Sequence, residues 1–220
     1  MLEYRFAQLT LLATLFLLFV GATVHPTGSS LACPEWLFVP TCNYDLTPAM
    51  QGGVLYEHGH RLAAFLVGIF TVGLALLTWR RRRADRLTRI LTLVAVFGVI
   101  LQGALGGLTV LLGLSPAISI GHLTLAMGFF SLVLLITHRL KPRSAAGSHA
   151  ALAATAAAPG AAAAARVANA RKWAGIATLA VFVQIVLGAV VRHTGSALQC
   201  LDIPLCKGEV WPADTLAQIH

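Results

Sequence analysis

The sequence predicts an all-α, polytopic transmembrane helical bundle, and three observations carry that prediction. Of the 220 residues 57% are hydrophobic and only 11% charged, against about a quarter charged in ordinary soluble domains. Five apolar runs are long enough to cross a hydrocarbon core about 30 Å thick, since a helix rises about 1.5 Å per residue. The basic residues fall on one side of these runs, as the positive-inside rule requires.

The first run, residues 6–24, is too long for the apolar core of a signal peptide. No small-x-small cleavage site follows it, so it reads as an uncleaved span. The others are residues 54–79, 90–112, 117–136 and 173–191. Arg5, Arg80 to Arg83, Arg86, Arg89, Arg139, Lys141, Arg143, Arg166, Arg171 and Lys172 share one side, 13 of the 16 Lys and Arg. The N-terminus is therefore expected in the cytoplasm, with the protein multi-pass in the cell (inner) membrane and in contact with lipid. The net charge of +8 is a topology signal, and nucleic-acid binding is not expected.

All four cysteines, Cys33, Cys42, Cys200 and Cys206, fall in the two long outer loops, where an oxidising compartment favours disulfides. Those loops also carry a repeat. Thr27, Gly28, Ser29, Leu31 and Cys33 recur at Thr194, Gly195, Ser196, Leu198 and Cys200, after spans ending in Val-Gly-Ala and Leu-Gly-Ala. A duplicated four-helix unit follows: residues 1–143 as the first repeat, 144–172 as an Ala-rich cytoplasmic linker broken by Pro159-Gly160, and 173–220 as the start of the second repeat, with its outer loop at 192–216. By that count the second copy is incomplete and the sequence reads as truncated. A natural five-span protein is the alternative. Aligning the repeats puts His220 near the position of Glu57, a possible second-half site residue.

The candidate chemistry lies in Tyr56-Glu-His-Gly-His-Arg61 and in His122. Glu57 and His60, three apart, share a helical face, while His58 points elsewhere. Ionisable groups in a membrane are costly and usually line a site, although a single histidine near a helix end can be satisfied by headgroups. His60 and His122 lie at nearly equal depth on the second and fourth spans, the placement that two axial ligands of a haem iron need, with the porphyrin between them. Two unrelated, separately satisfied histidines are the plainer alternative. Gln102-Gly-Ala-Leu-Gly-Gly107 leaves room for close helix packing or for a macrocycle. Arg61 and Arg192 could pair with propionates or anchor at the interface. Zinc is disfavoured by the wide cysteine spacings and the deeper histidines, and no other metal site, phosphate loop or catalytic triad is recognisable.

These residues resemble the haem A synthase family, which is built from two related four-helix halves. The resemblance rests on Thr27-Gly-Ser-Ser-Leu-Ala-Cys-Pro-Glu-Trp36 with Cys42, on Glu57-x-x-His60-Arg61, on Gln102 to Val110, on Gly121-His122-Leu123, and on the loop from Thr194 to Cys206. It implies oxidation of the C8 methyl of haem O, the substrate, to the formyl of haem A for terminal oxidases. It further implies His60 and His122 as axial ligands of the substrate haem iron, Glu57 as a catalytic proton-handling group beside it, and participation of Cys33 and Cys42. The disulfides it suggests are Cys33–Cys42, with a spacing wider than in the family's usual loop, and Cys200–Cys206. A haem b cofactor would sit in the second half on ligands past His220, and haem O synthase is the partner suggested by the pathway. Three rivals remain: a bis-histidine b-type electron-transfer cytochrome, a quinone-linked membrane thiol oxidase, and a duplicated transporter. Oligomeric state is not legible.

Overall fold

A computed structural model describes residues 1–37, 39–81, 85–142 and 161–194. Among them are five helices, all long and apolar enough to cross a membrane: α1 (Leu2–Val24), α2 (Gly52–Arg81), α3 (Arg86–Leu111), α4 (Pro116–Leu140) and α5 (Ala161–His193). The expected all-α multi-pass bundle is what forms. The helices run past the apolar runs at the charged ends, because Arg80 and Arg81 favour the last turn of α2 through the helix dipole. α5 likewise begins at Ala161, inside the Ala-rich stretch and directly after Pro159-Gly160, because alanine is the strongest helix former.

The first four helices pack in a ring, α1 on α2, α2 on α3, α3 on α4 and α4 on α1, and α5 lies outside against α4. Thus α2 and α4 face each other diagonally. Short connections set this arrangement. Asp85 caps α3, its carboxylate accepting the Thr88 N–H at 3.1 Å and the Thr88 hydroxyl at 2.6 Å, and it pairs with Arg139 of α4 at 3.3 Å. At the other end Gly113 (φ 61°) and Leu114 (φ 65°) turn the chain in the left-handed region. Pro116 then opens α4 at a position where its missing N–H costs nothing.

The closed core sits at the arginine end: Ala7, Val67, Leu74, Ala95, Phe129, Val133, Ile136 and Leu140 form one buried cluster. Phe6 meets Phe70 edge to face at 6.0 Å. Several buried threonines fill gaps with their hydroxyls bonded to the carbonyl one turn back, although that of Thr78 has no such partner. Thr14 bonds Thr10 O at 2.7 Å and Thr71 bonds Val67 O at 2.7 Å. Thr137 reaches both Val133 O (2.8 Å) and, across to α1, Ala7 O (3.3 Å).

Candidate functional site

The opposite end of the bundle gathers the candidate residues. Its lid is the segment after α1. Cys33 and Cys42, both fully buried, are joined in a disulfide, and Cys42 and Asp45 exchange backbone hydrogen bonds across a tight turn (2.9 and 3.1 Å). Asn43 (φ 54°) and Tyr44 (φ 62°) occupy the left-handed region there, as such two-residue turns require. The Glu35 carboxylate accepts the Tyr44 N–H at 3.2 Å. Burial pushes the Glu35 carboxyl up, but backbone N–H groups, including that of Tyr44, together with the Arg61 guanidinium hold it below the usual carboxylate range.

Glu57 and Arg61, one turn apart on α2, fasten this lid. The Glu57 Oε1 pairs with Arg61 Nη2 at 2.8 Å, and its Oε2 accepts the Cys33 N–H at 2.9 Å. Arg61 donates to the carbonyls of Cys33 (2.6 Å), Glu35 (2.8 Å) and Thr41 (3.0 Å). The guanidinium fork suits three converging carbonyls, and an ammonium would not match it. On α3, the Trp36 indole lies against Gly107, where any Cβ would overlap the ring. The lid is thus seated on both α2 and α3.

Beneath it, His60 lies about two turns into α2 and His122 about two turns into α4, within electrostatic reach of each other. Each ring rests against a glycine. A Cβ on Gly21 of α1 would approach His60 to 2.8 Å, and one on Gly106 of α3 would approach His122 to 3.4 Å. Gln102 donates to the His122 backbone carbonyl at 3.1 Å. The Nδ1 of each imidazole is buried with no hydrogen-bond partner, an expensive state for a polar atom inside a membrane.

The structure therefore brings Glu57, Arg61, Cys33 and Cys42 into one network, with His60 and His122 below it. Arg192 stands apart on α5, its guanidinium reaching Ala22 O at 3.3 Å. Cys200, Cys206 and His220 lie outside the described residues. Sequence reasoning passed over Gly21, whose only signal was the Val-Gly-Ala step repeated around Gly188. It also passed over Trp36 as a contact, and over the His25–His193 pair, whose rings lie 5.5 Å apart at the ends of α1 and α5. His58, expected to point away from Glu57 and His60, is fully buried as well.

Fold and site together define a multi-pass membrane bundle that presents two imidazoles from facing helices under a disulfide-closed lid. The chain belongs to the cytochrome oxidase assembly protein family, which it matches over residues 4–219. It is 31% identical over 203 residues to a heme A synthase of Bacillus licheniformis, covering 91% of this chain and 62% of that protein. It is also 31% identical to one of Shouchella clausii (97% and 66% covered) and 32% identical to one of Symbiobacterium thermophilum (87% and 60% covered). The chain thus spans about two thirds or less of the length of these curated relatives. No solved structure matches it.

Proposed function

We propose that this chain carries the substrate-haem half of a haem A synthase, in which the C8 methyl of haem O is oxidised to the formyl of haem A. The observation that carries the reading is the pair His60 and His122. They stand on diagonal helices at similar depth, each with its ring against a glycine of a neighbouring helix. Among the described residues no group of three or more His, Cys, Asp or Glu could hold a bare metal ion. A haem iron asks the protein for only two ligands, because the porphyrin supplies four.

His60 and His122 would hold the iron of haem O, whose redox chemistry would serve the reaction when it is bound; taking the methyl to the formyl removes four electrons and adds one oxygen atom, for which an external oxidant of the dioxygen class is the co-reactant. The protein's own work is positional. Gly21 and Gly106 leave each imidazole the room to align. Arg61 keeps Glu57 at the lid edge one turn from His60, where a carboxyl can take or return a proton near the reacting methyl. The lid, tied down at Cys33 and seated by Trp36, would keep water from the site. In this arrangement Arg61 is spent on loop carbonyls and acts as the lid's anchor, with propionate pairing left to other groups.

A haem b cofactor would belong to the second four-helix unit, with haem O synthase as the supplier of substrate. The arginine distribution supports a cytoplasmic N-terminus in the cell membrane, with the lid on the outer face. The thiol-oxidase reading asks for a cysteine pair open to exchange, and the full burial of Cys33 and Cys42 argues against it.

The test is expression in cells that make haem O, with spectroscopy of the purified chain and chromatography with mass analysis of the extracted haems. Bound haem lost in both His60→Ala and His122→Ala, with haem A or its alcohol precursor among the products, supports the proposal. Bound haem with unchanged haem O would leave an electron-transfer cytochrome. Haem binding indifferent to both substitutions would overturn the ligand assignment.

A further inference from the structure

A primary amide in the apolar stretch of a membrane helix is costly to keep, and α3 carries one, Gln102. Its Nε2 crosses to α4 and donates to the His122 backbone carbonyl at 3.1 Å. A carbonyl oxygen has two lone pairs, so it can take this bond beside the one inside its own helix. One turn further along α3 stands Gly106, on the same face, where a Cβ would lie 3.4 Å from the His122 ring. These two contacts hold His122 from opposite ends. In a helix the carbonyl points toward the C-terminus and the Cβ leans toward the N-terminus. Because α4 returns antiparallel to α3 after the short turn at Gly113 and Leu114, the carbonyl comes level with Gln102. The ring comes level with Gly106, about 6 Å nearer the lid. The next residue, Gly107, seats the Trp36 indole.

His60 is fastened through its own helix, since Glu57 and Arg61 to either side of it bind the lid. α4 has no such means: from Pro116 to Thr137 it carries no Asp, Glu, Lys or Arg. We propose that Gln102 is a positioning residue for His122, keeping α4 in register with α3 so that the imidazole stands level with His60. A slip of one residue would carry His122 about 1.5 Å along the axis and about 100° around it, taking the carbonyl off the amide and the ring off Gly106. The inference rests on the haem-binding reading of the two histidines and assigns to α3 the task of presenting the second of them.

The experiment is a titration of the full chain in nanodiscs with ferric protohaem, followed by absorption and electron paramagnetic resonance spectroscopy. Wild type is expected to give a six-coordinate, low-spin haem, and His122→Ala to lose it. Gln102→Leu, of similar bulk but without a donor, should keep the haem, bound about threefold to tenfold more weakly, as the loss of one hydrogen bond predicts. It should also show a high-spin fraction absent from wild type, a signature that a general loss of stability does not produce. Gln102→Glu keeps the reach and regains a donor only in its protonated form, so its spectrum should return toward low spin as pH is lowered, while that of wild type stays flat over the same range. Wild-type affinity and spin state in Gln102→Leu, beside haem loss in His122→Ala, would overturn the positioning role and leave the ligand assignment standing. Complete haem loss in Gln102→Leu that Gln102→Glu does not reverse at low pH would also overturn it, by making Gln102 a packing residue. If wild type binds no haem, or His122→Ala binds it unchanged, the histidine reading falls and the inference with it.

Discussion

The carboxylate of Glu57 accepts the backbone N–H of Cys33 at 2.9 Å, which ties the start of α2 to the buried disulfide of the lid. Glu57 is only 4% exposed, so removing it leaves the part-buried Arg61 guanidinium with its loop carbonyls but without its anion. Glu57→Ala should cost about 3–5 kcal/mol. Glu57→Gln, which can still accept the Cys33 N–H, should cost less and retain bound haem while conversion of haem O stops. Thermal unfolding and haem extraction on the two variants check this. Normal haem products from Glu57→Gln would remove the carboxyl from the chemistry.

The two glycine contacts are unequal, and so should their variants be. Gly21→Ala places a methyl 2.8 Å from His60 Cε1 and forces the ring aside, whereas Gly106→Ala meets His122 at an ordinary 3.4 Å. Haem affinity is expected to fall at least about tenfold in the first and to stay within about threefold in the second. The comparison is one pair of titrations. A reversed order would mean that the rings do not hold these positions when haem is bound.

Cys33 and Cys42 are both fully buried. Maleimide labelling of the folded protein after mild reductant should therefore stay near zero and rise only on denaturation. Rapid labelling in the native state would describe a lid that opens freely. Cys33→Ser with Cys42→Ser should destabilise the protein by about 2–4 kcal/mol, with the loss concentrated in the lid.

Hydrogen bonds from the Thr88 hydroxyl and N–H hold the Asp85 carboxyl below its ordinary value against the opposing effect of burial, and Arg139 adds a smaller contribution in the same direction. A depressed carboxyl stabilises the fold fully above its unfolded value, about 3.9. That contribution fades as pH falls through the lower folded value. Melting temperature of wild type should therefore drop more steeply below about pH 4 than that of Asp85→Asn, which still caps α3. Asp85→Ala should lose about 1 kcal/mol at neutral pH. Parallel pH profiles would show that the cap carries no charge-dependent stability.

Hydropathy and charge made the five helices legible because each is a long apolar run that only a helix can carry through a bilayer. Their ends were less so. Arginines at α2 and α3 termini extend the helix while keeping their charges in water, and no hydropathy window registers that. His60 and His122 were legible as a pair because depth along a helix is simple arithmetic. The anchoring of the lid was not, since Arg61 binds it mainly through backbone carbonyls of Cys33, Glu35 and Thr41, and a carbonyl leaves no mark in a sequence. The same holds for Gly21, whose importance lies in an empty volume on another helix.

The buried apolar cluster from Ala7 to Leu140 fills the arginine half of the bundle, reaching mid-helix at Val67 and Phe129, and the imidazoles stand beyond it. The four helices are in this respect a tuning fork, clamped at the base with tines spanned by a bridge. Amide hydrogens should exchange slowest around Val67–Leu74 and Phe129–Ile136 and fastest near the histidines. A planar guest can then be admitted by a small splay of the tips while the base keeps every contact it has.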